Sequence, residues 1–130
     1  MNVQGAIHFI LNKLNDKIKF LRIDRSYKAT AANTWQNNGT TFTVPDGHAY
    51  IVRGQLGYTS ARPVGVGFNA SSTLGGIGVP QHCYENSSGL VNSPCFMLFS
   101  GTYYMFEKRV AVPSNAENNY VYIVDLNYGS

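Results

Sequence analysis

Apolar residues near the start of the chain fall at Ile7, Leu11, Leu14, Ile18 and Leu21, at spacings of 4, 3, 4 and 3 residues. This recurrence marks one face of a helix and matches the a/d seam of a coiled coil over two heptads. Asn12, Lys13, Asn15, Asp16 and Lys17 fill the outside, and His8 lies at a flank of the seam. Two heptads are too few to hold a coiled coil alone. The segment therefore reads either as an oligomerisation helix or as an amphipathic helix packed on its own domain. After Arg25 the period drops to two. Phe42 and Val44 share a face, Pro45-Asp46-Gly47 makes a turn, and Tyr50, Val52, Leu56 and Tyr58 share the next face, with Gly54 interrupting it. A bulge is expected at Gly54 or Gly57.

The alternation continues with Val64, Val66 and Phe68 against Gly65 and Gly67, a strand whose bare face calls for something large packed over it or for a bend. Residues 69–78 form a loop of small residues. A short strand within 77–84 is interrupted by Pro80, and 85–93 is a second polar loop. The apolar run 94–99 predicts a fully buried strand. Thr102 to Val112 alternates, and the last strand sets Tyr120, Tyr122, Val124, Leu126 and Tyr128 on one face. Such a terminal strand is expected in the middle of a sheet. Seven or eight short strands with turns between them predict an all-β, antiparallel sandwich or barrel. Residues 1–23 form a helical neck, and residues 24–130 form the β-sandwich head.

Composition adds to this picture. Of the 130 residues, 44% are hydrophobic and only 13% are charged, about half the usual charged share. Solubility must then come from Asn, Ser and Thr, or from covering apolar surface in an oligomer. Aromatic residues reach 13%, with nine Tyr and seven Phe, a composition suited to sheets and to adaptable polar binding surfaces. The net charge is +3. Five basic residues, Lys13, Lys17, Lys19, Arg22 and Arg25, cluster early and read as a solvated face. The β region lacks the interleaved basic and aromatic residues of a nucleic-acid surface. No run is long enough to cross a bilayer, and the apolar stretch from Ala6 to Leu11 lacks the flanks of a signal peptide. Cys83 and Cys95 are expected as reduced, buried thiols, with a hairpin disulfide as the alternative.

Catalytic templates fail in turn. The chain has no nucleophile elbow, zincin motif, phosphate-binding loop or calcium loop. Three scattered His leave metal binding without support, and no cofactor is expected. Glu107 and Asp125 are the carboxylates that different strands might bring together, though each reads as a solvated strand residue. His82 and Cys83 adjoin on a strand, which points them to opposite faces. Binding features are clearer. Trp35, the sole Trp, sits among polar residues with Asn37 and Asn38. Its ring either stacks on a ligand or folds over an edge to seal the core. Asn69, Ser71, Ser72 and Thr73 in one loop, and Tyr84 with Asn86 by the next, supply aromatic, amide and hydroxyl groups with little charge, as hydroxyl-rich ligands require. These nine residues are the candidate ligand-binding set. The seam Ile7, Leu11, Leu14, Ile18 and Leu21 is the candidate oligomerisation set.

A helix with an a/d seam, then the unit Phe42-Thr-Val-Pro-Asp-Gly-His-Ala-Tyr-Ile-Val, the segment Gly101-Thr-Tyr-Tyr and the terminal Tyr120-Val-Tyr-Ile-Val together resemble the tip of a bacteriophage tail fibre or receptor-binding protein. In that family a helical neck feeds a trimeric jelly-roll head similar to tumour-necrosis-factor-like heads. The resemblance implies a homotrimer that attaches to a host cell-surface carbohydrate or protein. It implies a place on the virion, with synthesis without a signal peptide, and no catalysis, nucleic-acid binding or membrane insertion. The other readings are a structural or assembly protein of a virion or surface layer without a ligand of its own, and a small hydrolase.

Overall fold

The computed structural model describes residues 2–129, and among these lie one helix and eight strands. Helix α1 (Val3–Lys17) is capped by the Asn2 side chain, which accepts from the Gly5 amide, a standard way to satisfy a first-turn N–H. The helix ends without a turn: Ile18 is already extended and opens β1 (Ile18–Tyr27). Then come β2 (Gln36–Val44), β3 (His48–Leu56), β4 (Pro63–Asn69), β5 (His82–Glu85), β6 (Phe96–Leu98), β7 (Gly101–Arg109) and β8 (Glu117–Asn127).

The strands form two four-stranded antiparallel sheets, β1-β8-β3-β6 and β2-β7-β4-β5. The expected β-sandwich is therefore present. The first strand pairs with the last, β2 with β7, β3 with β6 and β4 with β5, as in a long hairpin ribbon rolled up on itself. The terminal strand β8 lies inside its sheet, as expected. Phe42, Val44, Val66, Phe68, Tyr103 and Met105 of one sheet meet Tyr50, Val52, Leu56, Leu98, Val121 and Ile123 of the other in one core. Gly54 sits in regular register opposite Val121, not in a bulge. A Cβ there would meet Val66 Cγ1 at 2.7 Å and Met105 Cε at 2.9 Å, so the glycine lets the facing sheet approach. The bulge falls in β2 instead, between Asn37 and Thr41.

Several expectations need correction. Ile18 and Leu21 leave the helix and lie on β1, where positions three apart point to opposite faces. Ile18, Phe20, Leu21 and Ile23 suit a strand, and the ladder with β8 competes successfully with the last helical turn. The boundary between residues 23 and 24 thus falls inside β1. The run 94–99 is a short edge strand with Met97 and Phe99 exposed, not a buried one. Cys95 is exposed and Cys83 half-buried, and both are free. Glu107 and Asp125 are not solvated, because the registers turn both into the sandwich.

Candidate functional site

The two sheets present very different outer faces. On β2-β7-β4-β5, Gly65 and Gly67 leave the surface bare, and two residues fill the space. A Cβ on Gly65 would lie 2.7 Å from Trp35 Cη2, and one on Gly67 would lie 2.6 Å from Pro80 Cγ. The large residue required over these glycines is therefore found. Trp35 packs outside the sheet, half-buried, with its indole N–H donating to Glu85 Oε1 at 3.1 Å. It does not seal the core between the sheets. Lys108 Nζ also reaches Glu85, at 3.3 Å.

The loop after β4 folds back across this same face. Its Ser72 carbonyl accepts from Asn37 Nδ2 at 3.2 Å, which ties it to the Trp35 segment. Asn69 braces the loop from within: its amide N–H groups donate to the Ser71 and Thr73 carbonyls, and its Oδ1 accepts from the Gln81 amide. Gln81 Oε1 accepts from the Ala70 amide in return. This bracing holds open a depression of about 490 Å³ lined by Asn69, Ser71, Thr73, Leu74, Ile77 and Val79, among others. Ile77 is 81% exposed. The depression thus combines hydroxyl and carbonyl groups with apolar walls, the mixture that small polar ligands require.

The structure separates the nine candidate residues. Trp35, Asn37, Ser71, Ser72 and Thr73 gather on this outer face. Asn69 is buried and acts as the brace. Asn38 is a correction: the β2 bulge turns it inward, fully buried, where its amide donates to Glu107 Oε1 at 3.2 Å and its Oδ1 accepts from the Thr40 amide. It cannot meet a ligand. Tyr84 is exposed on edge strand β5 but lies on the opposite side of the strand from Glu85, which faces Trp35. Asn86 is exposed and holds a turn by accepting from the Ser88 amide. Sequence reasoning missed Leu74, Ile77, Val79 and Glu85. The visible signal was three bulky apolar residues, Leu74, Ile77 and Val79, in a loop of mostly small ones.

Two buried carboxylates of the sandwich, Glu107 and Asp125, are each paired with a basic side chain. Glu107 accepts from Arg109 Nε at 2.5 Å and from Asn119 Nδ2 at 3.1 Å, while Arg109 also donates to the Gly57 and Ala61 carbonyls. Asp125 lies 2.7 Å from His48 Nδ1, six residues along β8 from Asn119. At ~3.3 Å per residue that is roughly 20 Å from the Glu107 cluster, so the two carboxylates do not meet. His82 faces inward against Phe96 and Tyr103, whereas Cys83 faces outward over Gly67. Burial, then the Glu85 carboxylate, pushes the Cys83 thiol up from its ordinary value. Among the described residues no group of three or more His, Cys, Asp or Glu is arranged to hold a metal, and no helix is long and apolar enough to cross a membrane.

No protein-family model and no curated protein matches the chain. Its functional reading therefore rests on the two outer faces.

The outer face of β1-β8-β3-β6 is largely apolar and aromatic. Its pairings set Phe20, Val124, Ile51 and Met97 in one row across four strands. The next row holds Arg22, Tyr122 and Arg53, with Arg53 over the Tyr122 ring at 4.6 Å and Arg22 over Tyr120 at 5.6 Å. Phe20 is 80% exposed and Met97 51%.

Proposed function

We propose that the chain is the receptor-binding head of a phage fibre, a homotrimer that attaches to carbohydrate on the host cell surface. The observation that carries this reading is that residues 35–37, Glu85 and the braced loop after β4 share one outer face, where the Asn37–Ser72 bond ties the half-buried Trp35 segment to the loop that lines an open depression. An aromatic ring beside amides and hydroxyls, with few formal charges, suits a sugar, which has an apolar face and fixed hydroxyls. A jelly-roll winding of the head is supported by the two sheet orders, which follow a rolled-up ribbon.

Trimer formation through the seam is supported by α1 itself. It is 15 residues long and buries none of them, although Ile7, Leu11 and Leu14 form an apolar stripe. A helix that short is marginal in water without a packing partner. Ile18 and Leu21, now on β1, extend the apolar surface beyond the helix rather than along its seam. The reading includes no catalytic step, no cofactor, no metal and no nucleic-acid partner.

A second reading, a structural protein of the virion without a ligand of its own, draws on one observation: Asn69 and Asn86 use their amide oxygens to hold their own loops. A glycan array separates the two. Purified full-length protein is expected to bind a defined set of glycans, and folded Trp35→Ala to lose them. Binding to none of them favours the structural protein.

A further inference from the structure

The outer face of β1-β8-β3-β6 calls for a covering partner. On strand β8 the core takes Val121 and Ile123, leaving Tyr120, Tyr122, Val124 and Leu126 half-buried on the outer face. On β1, Ile18 and Phe20 also point outward beside them, Phe20 being 80% exposed. A contiguous apolar patch of this kind marks an interaction site. Its composition is that of a protein interface, where Tyr, Phe, Met and Arg are enriched and Lys is depleted. The strand rows described supply Phe20, Tyr120, Tyr122, Met97, Arg22 and Arg53 and no Lys.

We infer that a second copy of this chain covers this face, so that the subunit interface runs off the helix and across the sheet. The inference rests on the trimeric reading above and extends it. Continuity argues for self-association: Lys17 ends the helix and Ile18 is already in β1, with no linker to swing the two apart. Helices gathered on a common axis therefore bring the Ile18 and Phe20 face to that axis as well. Area argues the same way. Ile7, Leu11, Leu14, Ile18, Phe20 and Met97, each between 37 and 80% exposed, offer together on the order of 600 Å² if each side chain spans about 200 Å². Stable interfaces bury about 800 Å² per partner, so the helix stripe alone, at about half of that sum, falls well short and the sheet face brings the area close to what is needed. In a cyclic trimer each contact joins two different patches of neighbouring copies, and a face with an apolar half and a Tyr–Arg half provides two such patches.

Cys95 supplies a direct probe. It is exposed in the single chain and lines a depression of about 180 Å³ with Phe20, Ile51, Arg53, Tyr122 and Val124. The test uses full-length protein at low micromolar concentration, with its mass from light scattering and its thiols alkylated by iodoacetamide and mapped by peptide mass. The wild type is expected to be a trimer with Cys95 protected at least tenfold relative to Phe20→Glu. Phe20→Glu and Met97→Glu are expected to shift toward the 14.3 kDa chain while remaining folded, because both side chains point away from the core. A wild-type trimer with freely reactive Cys95, unaffected by both variants, overturns this inference and leaves the helix-mediated trimer standing. A wild type that is monomeric throughout overturns both.

Discussion

A methyl group on Gly65 would lie 2.7 Å from the Trp35 ring and 3.2 Å from Lys108 Cβ. Gly65→Ala is thus expected to push the ring off the sheet and weaken attachment while leaving the core intact. Trp35→Ala should lose attachment too and cost about 1–3 kcal/mol, since about half of a large ring is buried. Equal glycan binding by wild type and both variants would move the site elsewhere. Asn38 shows why part of the candidate site was not legible. Its polar neighbours promise a surface loop, but the bulge between Asn37 and Thr41 inverts the face, and bulges have no fixed sequence signature. Glu107 was misjudged for a related reason: its charge is tolerable inside only because Arg109 lies beside it. Arg109→Met is expected to destabilise by about 3–5 kcal/mol in urea unfolding, because Glu107 stays buried with its charge partner gone. A loss below 1 kcal/mol would show that Glu107 is held by its amide partners alone. Two tyrosines, with the raised Cys83 thiol, weaken the fold at alkaline pH. Burial, and then Glu107 for Tyr27 and Asp125 for Tyr50, raise both phenols above 10.0. The folded state holds these protons longer than the unfolded one, so their stabilisation is complete below about pH 10 and is lost as pH climbs through the raised values. Thermal unfolding measured from pH 8 to 12 is expected to show a Tm falling above about pH 10; a Tm that rises there would contradict this.

Among the elements, the strands were the most legible, because period-two alternation survives in β2, β3, β4 and β7 with little interruption. The helix was legible only up to Lys17. Ile18 and Leu21 fit the helical spacing and, three apart, break strand alternation, and it is pairing with Leu126 and Ile123 that overrides the pattern. In β8 the more apolar face, Tyr120, Tyr122, Val124 and Leu126, turns outward, while Val121 and Ile123 enter the core beside buried Glu117, Asn119 and Asp125, so the facing sheet and its polar partners decide the side and not the strand's own pattern. The run at β6 shows the converse: three strand residues at a sheet edge cannot be buried on both sides, however apolar they are. The helix carries its own prediction. Leu14→Asp places a charge in the stripe, which must be desolvated or expelled. It is expected to lower the oligomer mass and, with it, the helical circular dichroism, since α1 buries none of its residues in the single chain. Loss of mass with undiminished helicity would show that α1 is stable without neighbours.

At the scale of the whole molecule, the sandwich separates two surfaces. One sheet leaves an apolar, Tyr- and Arg-bearing face bare. The other is overlaid by Trp35, Pro80 and a braced loop that present polar groups outward. Under the proposed function, self-association on the first face leaves the second free for a receptor, which is the division of roles that an attachment head requires. The central claim is that this second face holds the ligand, and Trp35 reports on it directly because it is the only Trp in the chain. Its fluorescence can be titrated with the oligosaccharide that binds most strongly on the array, up to millimolar concentration. The expected result is a saturable change in emission, with a midpoint matching the array affinity and no comparable change for a glycan that does not bind. An emission that stays constant while the same glycan binds would contradict the claim, because the ligand would then occupy a surface away from Trp35.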